Sequence, residues 1–142
     1  MGREVRKVPA NWHHPKDEND RYKPLLEGYA QAVNKFTAMM NEKGLQEAID
    51  YFGQEPDVND YMPEWRESEK THFMMYETCT EGTPISPAFV TPEALARWLT
   101  DTEASSFGSM TAPYEAWLRV CNGGYAPSAV VIGGVLKSGV ES

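Results

Sequence analysis

The chain has 142 residues, 41% of them hydrophobic, with four Trp, seven Tyr and five Phe, which predicts one folded domain rather than a disordered chain. The net charge is −8, from 13 Lys and Arg against 21 Asp and Glu, which disfavours direct binding to nucleic acid. No apolar run approaches the roughly 20 residues needed to cross a bilayer, and from the charged N-terminus we expect no secretory signal. We therefore expect a protein of the cytoplasm with no membrane contact.

Residues 1–24 differ in charge from the rest of the chain. They hold six Lys or Arg and four Asp or Glu, a net of +2, so residues 25–142 carry −10. This asymmetry predicts two surfaces with different partners.

The N-terminal residues are predicted to form an ordered arm. Glu4 to Val8 is consistent with a short strand, and two prolines and a polar run after it predict an irregular, extended path. Burying an aromatic side chain contributes about 1.5–3 kcal/mol. We therefore expect Trp12 and Tyr22 to hold the arm, residues 1–23, against a body formed by residues 24–142 within a single domain.

Two helices are predicted after the arm. Hydrophobic residues recur every three or four positions from Leu25 to Met40, which predicts an amphipathic helix that begins at Pro24 and ends at Gly44. A second, shorter helix is predicted over residues 45–52, closed by Gly53.

Residues 63–79 are open to two interpretations. Pro63 is well placed in a first helical turn, and aromatic and apolar residues after it share one helical face. Residues 71–78 also suit a central strand. We predict a helix over 63–79 and keep the strand as the alternative.

The C-terminal half combines helices with a hairpin. Residues 81–89 (EGTPISPAF) contain a glycine and two prolines and are predicted to be irregular. Thr91 is predicted to cap one helix and Thr111 another that ends at Gly123. Residues 129–137 predict a β-hairpin with a two-residue glycine turn. The predicted fold class is α+β, a mostly helical single domain with a C-terminal β-hairpin and an ordered N-terminal arm.

Negative charge is concentrated between Glu42 and Glu81. Eleven Asp and Glu oppose three Lys and Arg there, a net of −8. A solvated acidic face explains this pattern. The alternative is a surface that mimics spaced phosphates and occupies a basic groove of a nucleic-acid-binding protein. Its predicted partner-binding residues are Asp50, Glu55, Asp57, Asp60, Glu64, Glu67 and Glu69.

The spacing of reactive side chains predicts no catalytic residue, metal or cofactor. His13 and His14 are adjacent, so their side chains diverge, whereas zinc sites usually use HxH, HxxxH or cysteine pairs. His72 and Cys79 would lie ~10 Å apart on a helix, too far for a base that must reach its nucleophile within ~3 Å. Cys79 and Cys121 form no CxxC motif, which favours reduced thiols in the cytoplasm, with a single disulfide as the alternative.

Three sequence blocks form a further pattern: GREVRKVPxxWxHP at the start, YETCTEGTPISPAFxTPEALARWL in the middle, and APSAV before the glycine-containing hairpin. They lie in the arm, the middle and the C-terminal part of the chain, and they resemble an uncharacterised family of small phage- and prophage-encoded proteins. The resemblance implies a viral or mobile-element origin and a location in the host cytoplasm. It implies no activity.

The function predicted from these observations is that of a non-enzymatic accessory protein that binds a host protein with a basic surface. Its specific form is an inhibitor of a nucleic-acid-handling defence system. The alternative is a small hydrolase or nucleotide-modifying enzyme with a site between the arm and the EGTPISP loop, using His14, His72, Glu77 and Thr83. A virion or assembly component with a symmetric apolar patch is a third hypothesis. Convergence of the four side chains in a pocket would favour the enzyme, and a flat acidic face the binding protein.

Overall fold

The fold is taken from a computed structural model that describes residues 2–78, 82–107, 110–126, 129–132 and 135–140. Within these ranges the chain has four α-helices, a three-stranded antiparallel sheet and a two-stranded sheet, so the predicted α+β class is confirmed. The chain divides into two compact units. Unit 1 comprises Met1–Lys23 and Trp65–Ser142, and unit 2 is Pro24–Glu64.

The N-terminal strand is the centre of the sheet in unit 1. Strand β1 (Arg3–Val8) lies between β2 (His72–Glu77) and β3 (Tyr125–Ala126) and pairs antiparallel with both. The predicted strand over residues 4–8 is therefore confirmed, and its central position means that the first residues of the chain are part of the sheet itself.

The predicted helix over residues 63–79 is wrong. The segment contains one 3₁₀ turn (Glu67–Glu69) followed by β2. Met74, Met75 and Tyr76 are all buried although their side chains point alternately to opposite faces of the sheet. A strand buried on both faces reads as a continuous apolar run, so it lacks the alternation that would have identified it.

Two helices cover one face of this sheet, α1 (Pro92–Asp101) and α2 (Tyr114–Gly123), and enclose the hydrophobic core. Thr91 caps α1 as predicted, accepting a hydrogen bond from the Ala94 N–H at 3.1 Å. The predicted cap at Thr111 is wrong, because the extended backbone of Pro113 starts the helix, its carbonyl accepting from the Trp117 N–H. The buried core residues are Met75, Leu95, Ala96, Leu99, Ala112, Ala116, Trp117, Val120, Cys121, Ala126 and Val140.

The outer edge of β2 is covered by residues 82–89. Phe73 and Phe89 exchange backbone hydrogen bonds of 2.6 and 2.8 Å, and the Glu77 N–H donates to the Thr83 carbonyl at 2.9 Å. The segment is irregular, as predicted, because its two prolines lack the N–H needed for a continuous ladder. It nevertheless protects an edge that would otherwise present unpaired backbone groups.

Ser86 completes this edge with its side chain. The Met75 N–H donates to Ser86 Oγ at 2.9 Å, and the Ser86 hydroxyl donates to the Pro87 carbonyl at 2.8 Å. Ser86→Ala is expected to lower the free energy of unfolding by about 1–3 kcal/mol, because it leaves a buried N–H without its acceptor. Urea unfolding measures the change. Ser68→Ala, at an exposed serine, is the control, and an equal effect of the two substitutions would contradict the assigned role of Ser86.

The C-terminal hairpin is confirmed. Strands β4 (Ala129–Ile132) and β5 (Val135–Ser138) pair antiparallel. The glycine turn predicted between them lies outside the described residues.

Unit 2 contains α3 (Tyr29–Lys43) and α4 (Leu45–Phe52), which we number after the helices of unit 1. The predicted start at Pro24 is wrong: the Leu26 N–H donates to the Asp60 carbonyl at 2.9 Å and its carbonyl accepts from the Met62 N–H at 2.7 Å, which holds this segment extended. The predicted second helix, over residues 45–52, is confirmed. No helix in the described part of the chain is long and apolar enough to cross a membrane.

Candidate functional site

Unit 1 contains a groove of about 710 Å³ between the N-terminal arm and residues 84–88. Its volume lies within the roughly 300–1,000 Å³ typical of small-molecule sites. Aromatic side chains of Trp12, Tyr22 and Trp98 line it, and Pro84 and Pro87 belong to the opposite segment. The sheet, the arm and α1 together build this groove, so it exists only in the folded unit.

A hydrogen-bonded chain ties the arm to β2 beside the groove. The Trp12 indole N–H donates to the Tyr76 hydroxyl oxygen at 3.1 Å, and that oxygen lies 2.9 Å from His14 Nδ1. His14 Nε2 lies 2.6 Å from the Lys23 carbonyl oxygen. Because a carbonyl only accepts, Nε2 carries the proton, and in the neutral ring Nδ1 accepts from the Tyr76 hydroxyl. Both ring nitrogens of His14 are therefore engaged.

The surroundings of His14 favour its neutral form. Burial lowers the pKa of its imidazole, the hydrogen bond to Lys23 opposes this, and the nearby Arg6 charge lowers the pKa further. The Arg6 guanidinium lies 4.4 Å from the centroid of the Tyr76 ring and donates to the Glu4 carboxylate at 2.8 Å. His14 thus acts as a neutral structural link between the arm and the sheet.

Protonation of His14 is expected to destabilise the fold. Its folded-state pKa lies below the ordinary value of 6.5, so the unfolded chain binds more protons between these two values. The contribution of neutral His14 to the free energy of unfolding is fully present above pH ~6.5 and is lost as the pH falls through the folded-state pKa. Urea unfolding at a series of pH values measures it. His14→Gln should remove this part of the pH dependence and His13→Gln, at an exposed neighbour, should retain it; the same slope in both variants would contradict this account.

The four polar candidates for the enzyme hypothesis do not converge in the groove. Only His14 lines it. Glu77 accepts from the Thr83 hydroxyl at 3.3 Å and lies 3.9 Å from Arg3 Nη1. His72 lies at the opposite end of β2 from Glu77, roughly 16 Å from it at 3.3 Å per residue. The His72 Nδ1 is 2.9 Å from the Thr71 hydroxyl.

The described residues offer neither a metal-binding cluster nor a reactive thiol. No group of three His, Cys, Asp or Glu among them is placed to hold a metal ion. Cys121 is a buried free thiol, and burial raises its pKa to about 12, so it is a poor nucleophile. Cys79, and with it the predicted His72–Cys79 relation, lies outside the described part of the chain.

The seven predicted partner-binding acids fall into both units. Asp50, Glu55, Asp57, Asp60 and Glu64 belong to unit 2, and Glu67 and Glu69 to unit 1. Six are exposed, and Asp60 is half-buried.

Several of these acids also serve local structure, a role that composition alone does not reveal. Asp57 caps a 3₁₀ turn by accepting from the Asn59 N–H at 2.9 Å, and Glu64 accepts from the Ala30 N–H at 3.2 Å in the first turn of α3. Asp50 accepts from the Gln46 amide at 3.0 Å.

The two acids of unit 1 are also engaged locally. The Lys70 ammonium lies 2.7 Å from the Glu67 carboxylate and lowers its pKa, and the Glu69 carboxylate accepts from the Arg66 N–H at 3.3 Å. Like several acids of unit 2, these two carboxylates therefore also serve local structure.

The arm presents a smaller basic surface than its composition suggests. Arg3 and Arg6 are each only 3% exposed. Arg3 donates to the Ser105 carbonyl at 3.0 Å, and Arg6 is paired with Glu4. Their position in the central strand turns these arginines toward the protein's own acceptors.

Comparison of the chain with protein-family models, with curated protein sequences and with solved structures gives no match. Its function must therefore be argued from its own geometry and charge, and the resemblance to phage-encoded proteins stays a prediction.

Proposed function

We propose that this chain is a non-enzymatic binding protein whose unit 2 docks onto a host protein with a basic surface. The observation that carries the proposal is the distribution of charge. Pro24–Glu64 contains eight Asp or Glu and two Lys, a net of −6, which leaves −2 for unit 1 out of the total of −8. A small unit with this field attracts a basic partner and orients its approach.

Exposed hydrophobic side chains accompany the charge in unit 2. Tyr51 is 73% exposed, Leu45 52% and Val58 58%. Tyr51 and Leu45 lie on α4, and the Tyr51 ring packs edge-to-face against the Phe52 ring with centroids 4.9 Å apart. Aromatic and apolar groups within a charged rim are the usual composition of protein interfaces, in which the charges steer and the apolar groups hold.

In its specific form, the proposal is that a phage or mobile element encodes the protein and that it inhibits a nucleic-acid-handling defence system in the host cytoplasm. The sequence resemblance supports the origin. The exposed carboxylates support the mode of action, because carboxylates spaced along an acidic surface resemble the phosphates that such a system binds.

Charge neutralisation in unit 2 tests the proposal. The test variant combines Glu42→Gln, Glu47→Gln, Asp50→Asn and Glu55→Gln, which spares the carboxylates that cap turns. The matched control changes four exposed acids of unit 1: Glu18→Gln, Glu93→Gln, Asp101→Asn and Glu115→Gln. Both sets change the net charge by the same amount, so general charge effects cancel.

Each full-length protein is used to capture partners from bacterial cells that express it, and the affinity for the captured partner is then measured at about 50 and 300 mM salt. We expect wild type and control to bind a basic protein, with weaker binding at high salt, and the unit 2 variant to lose about tenfold or more in affinity. Equal binding by the two variants, with circular dichroism showing both folded, would refute the proposal.

The enzyme alternative has one observation in its favour, since a groove does lie between the arm and the EGTPISP loop. Only one of its four polar candidates lines that groove, and the two ring nitrogens of His14 are already engaged. The geometry supports binding at this place rather than acid–base catalysis.

A further inference from the structure

The walls of the groove in unit 1 are aromatic and fixed in place. Trp12 is held by its hydrogen bond to Tyr76 and by an edge-to-face contact with Trp65 at 5.0 Å. Trp98, in α1, packs against Phe89 with ring centroids 6.1 Å apart. Rings held in this way offer preformed faces on which a flat ligand can stack with little loss of side-chain entropy.

The lining of the groove carries one positive charge, from a lysine. Lys16 lines the groove, and none of the described lining residues is Asp or Glu. Lys16 Nζ lies 3.6 Å from the Asp20 carboxylate, but these side chains are 45% and 87% exposed. Such an exposed pair contributes little, so an incoming anion can take the place of Asp20.

We propose that this groove binds a small planar aromatic anion, with its ring against the tryptophans and its carboxylate or phosphate at Lys16. Stacking alone would accept any flat molecule. The lysine at the rim adds selection for a negative group, because the electrostatic attraction between an ammonium and an anion is stronger than that between an ammonium and a neutral substituent. Binding is reversible and involves no covalent step.

Isothermal titration calorimetry of the full-length protein with two pairs of probes tests this inference. Adenosine 5′-monophosphate is compared with adenosine, and indole-3-acetate with indole-3-acetamide, so that each anion has a neutral counterpart with the same ring. We expect at least one anion to bind about tenfold more tightly than its counterpart. The response of the two anions distinguishes a phosphate from a carboxylate ligand.

Two variants with matched controls locate the site. Lys16→Gln should reduce the affinity for the anion to that of the neutral probe, and Lys35→Gln, at an exposed lysine of unit 2, should not change it. Ala10→Asp places a carboxylate at an exposed lining residue and should also weaken binding of the anion about tenfold.

The proposal is overturned if neither anion binds at millimolar concentration, if anion and neutral probe bind equally, or if both lysine variants have the same effect. A neutral proline-rich peptide that binds regardless of Lys16 would also overturn it, because an aromatic groove of that kind recognises an extended peptide.

Discussion

Trp117→Ala is expected to lower the free energy of unfolding by about 3–5 kcal/mol. The indole is fully buried in α2 within the core of unit 1. Its removal leaves a cavity that the helices cannot close, since the surrounding core is packed at close to crystal density. Because small domains are stable by only about 5–15 kcal/mol, much of the total would be lost. Urea unfolding followed by circular dichroism measures it.

Trp117→Phe should cost less than half as much. The Trp117 indole N–H has no hydrogen-bond partner among the residues that the structure describes, and a buried donor in that state costs about 1–3 kcal/mol. Phenylalanine removes the unpaired donor, and the free energy gained in this way offsets part of the cost of the lost side-chain volume. A phenylalanine variant as unstable as the alanine variant would show that the N–H does have a partner.

Tyr76→Phe is expected to lower the free energy of unfolding by about 2–4 kcal/mol, because the loss of one hydroxyl leaves two groups without a partner at about 1–3 kcal/mol each. His14 Nδ1 loses its donor, and the Trp12 indole N–H loses its acceptor. Trp12 is only half-buried, so water replaces part of its loss. Urea unfolding provides the measurement, with Tyr51→Phe at an exposed tyrosine as the control.

The same substitution has a second readout that simple packing would not affect. The Tyr76 hydroxyl stabilises the neutral imidazole of His14 by donating to it, so its removal should raise the folded-state pKa of His14 toward the ordinary value. The loss of stability below pH ~6.5 should then become shallower. An unchanged slope would argue that Tyr76 does not donate to His14.

Local features of the sequence predict much of the fold. Thr91 has the side-chain oxygen that a helix cap requires, Gly53 closes a helix, and the pattern over residues 129–137 identifies a hairpin. Each of these depends on neighbouring residues only. The failures at residues 63–79 and at Pro24 have the opposite cause, because backbone partners distant in sequence decide the structure there.

The candidate site is less predictable for the same reason. Residues 12, 22, 84–88 and 98 line one groove only in the folded unit, and no spacing in the chain indicates this. Composition likewise counts Arg3 and Arg6 as surface charge, although their place in the central strand buries them. The sequence places His14 among the polar candidates, but it does not show that both ring nitrogens are engaged.

The central position of β1 has a consequence for synthesis on the ribosome. Arg3 pairs with Glu77 and with Ala126, so this strand is synthesised well before either of its partners. Such distant pairing slows folding, whereas the two helices of unit 2 join residues that are close together in the chain. We expect nascent chains that end before Ala126 to leave one or both edges of this strand open, and therefore to depend on chaperones to avoid aggregation.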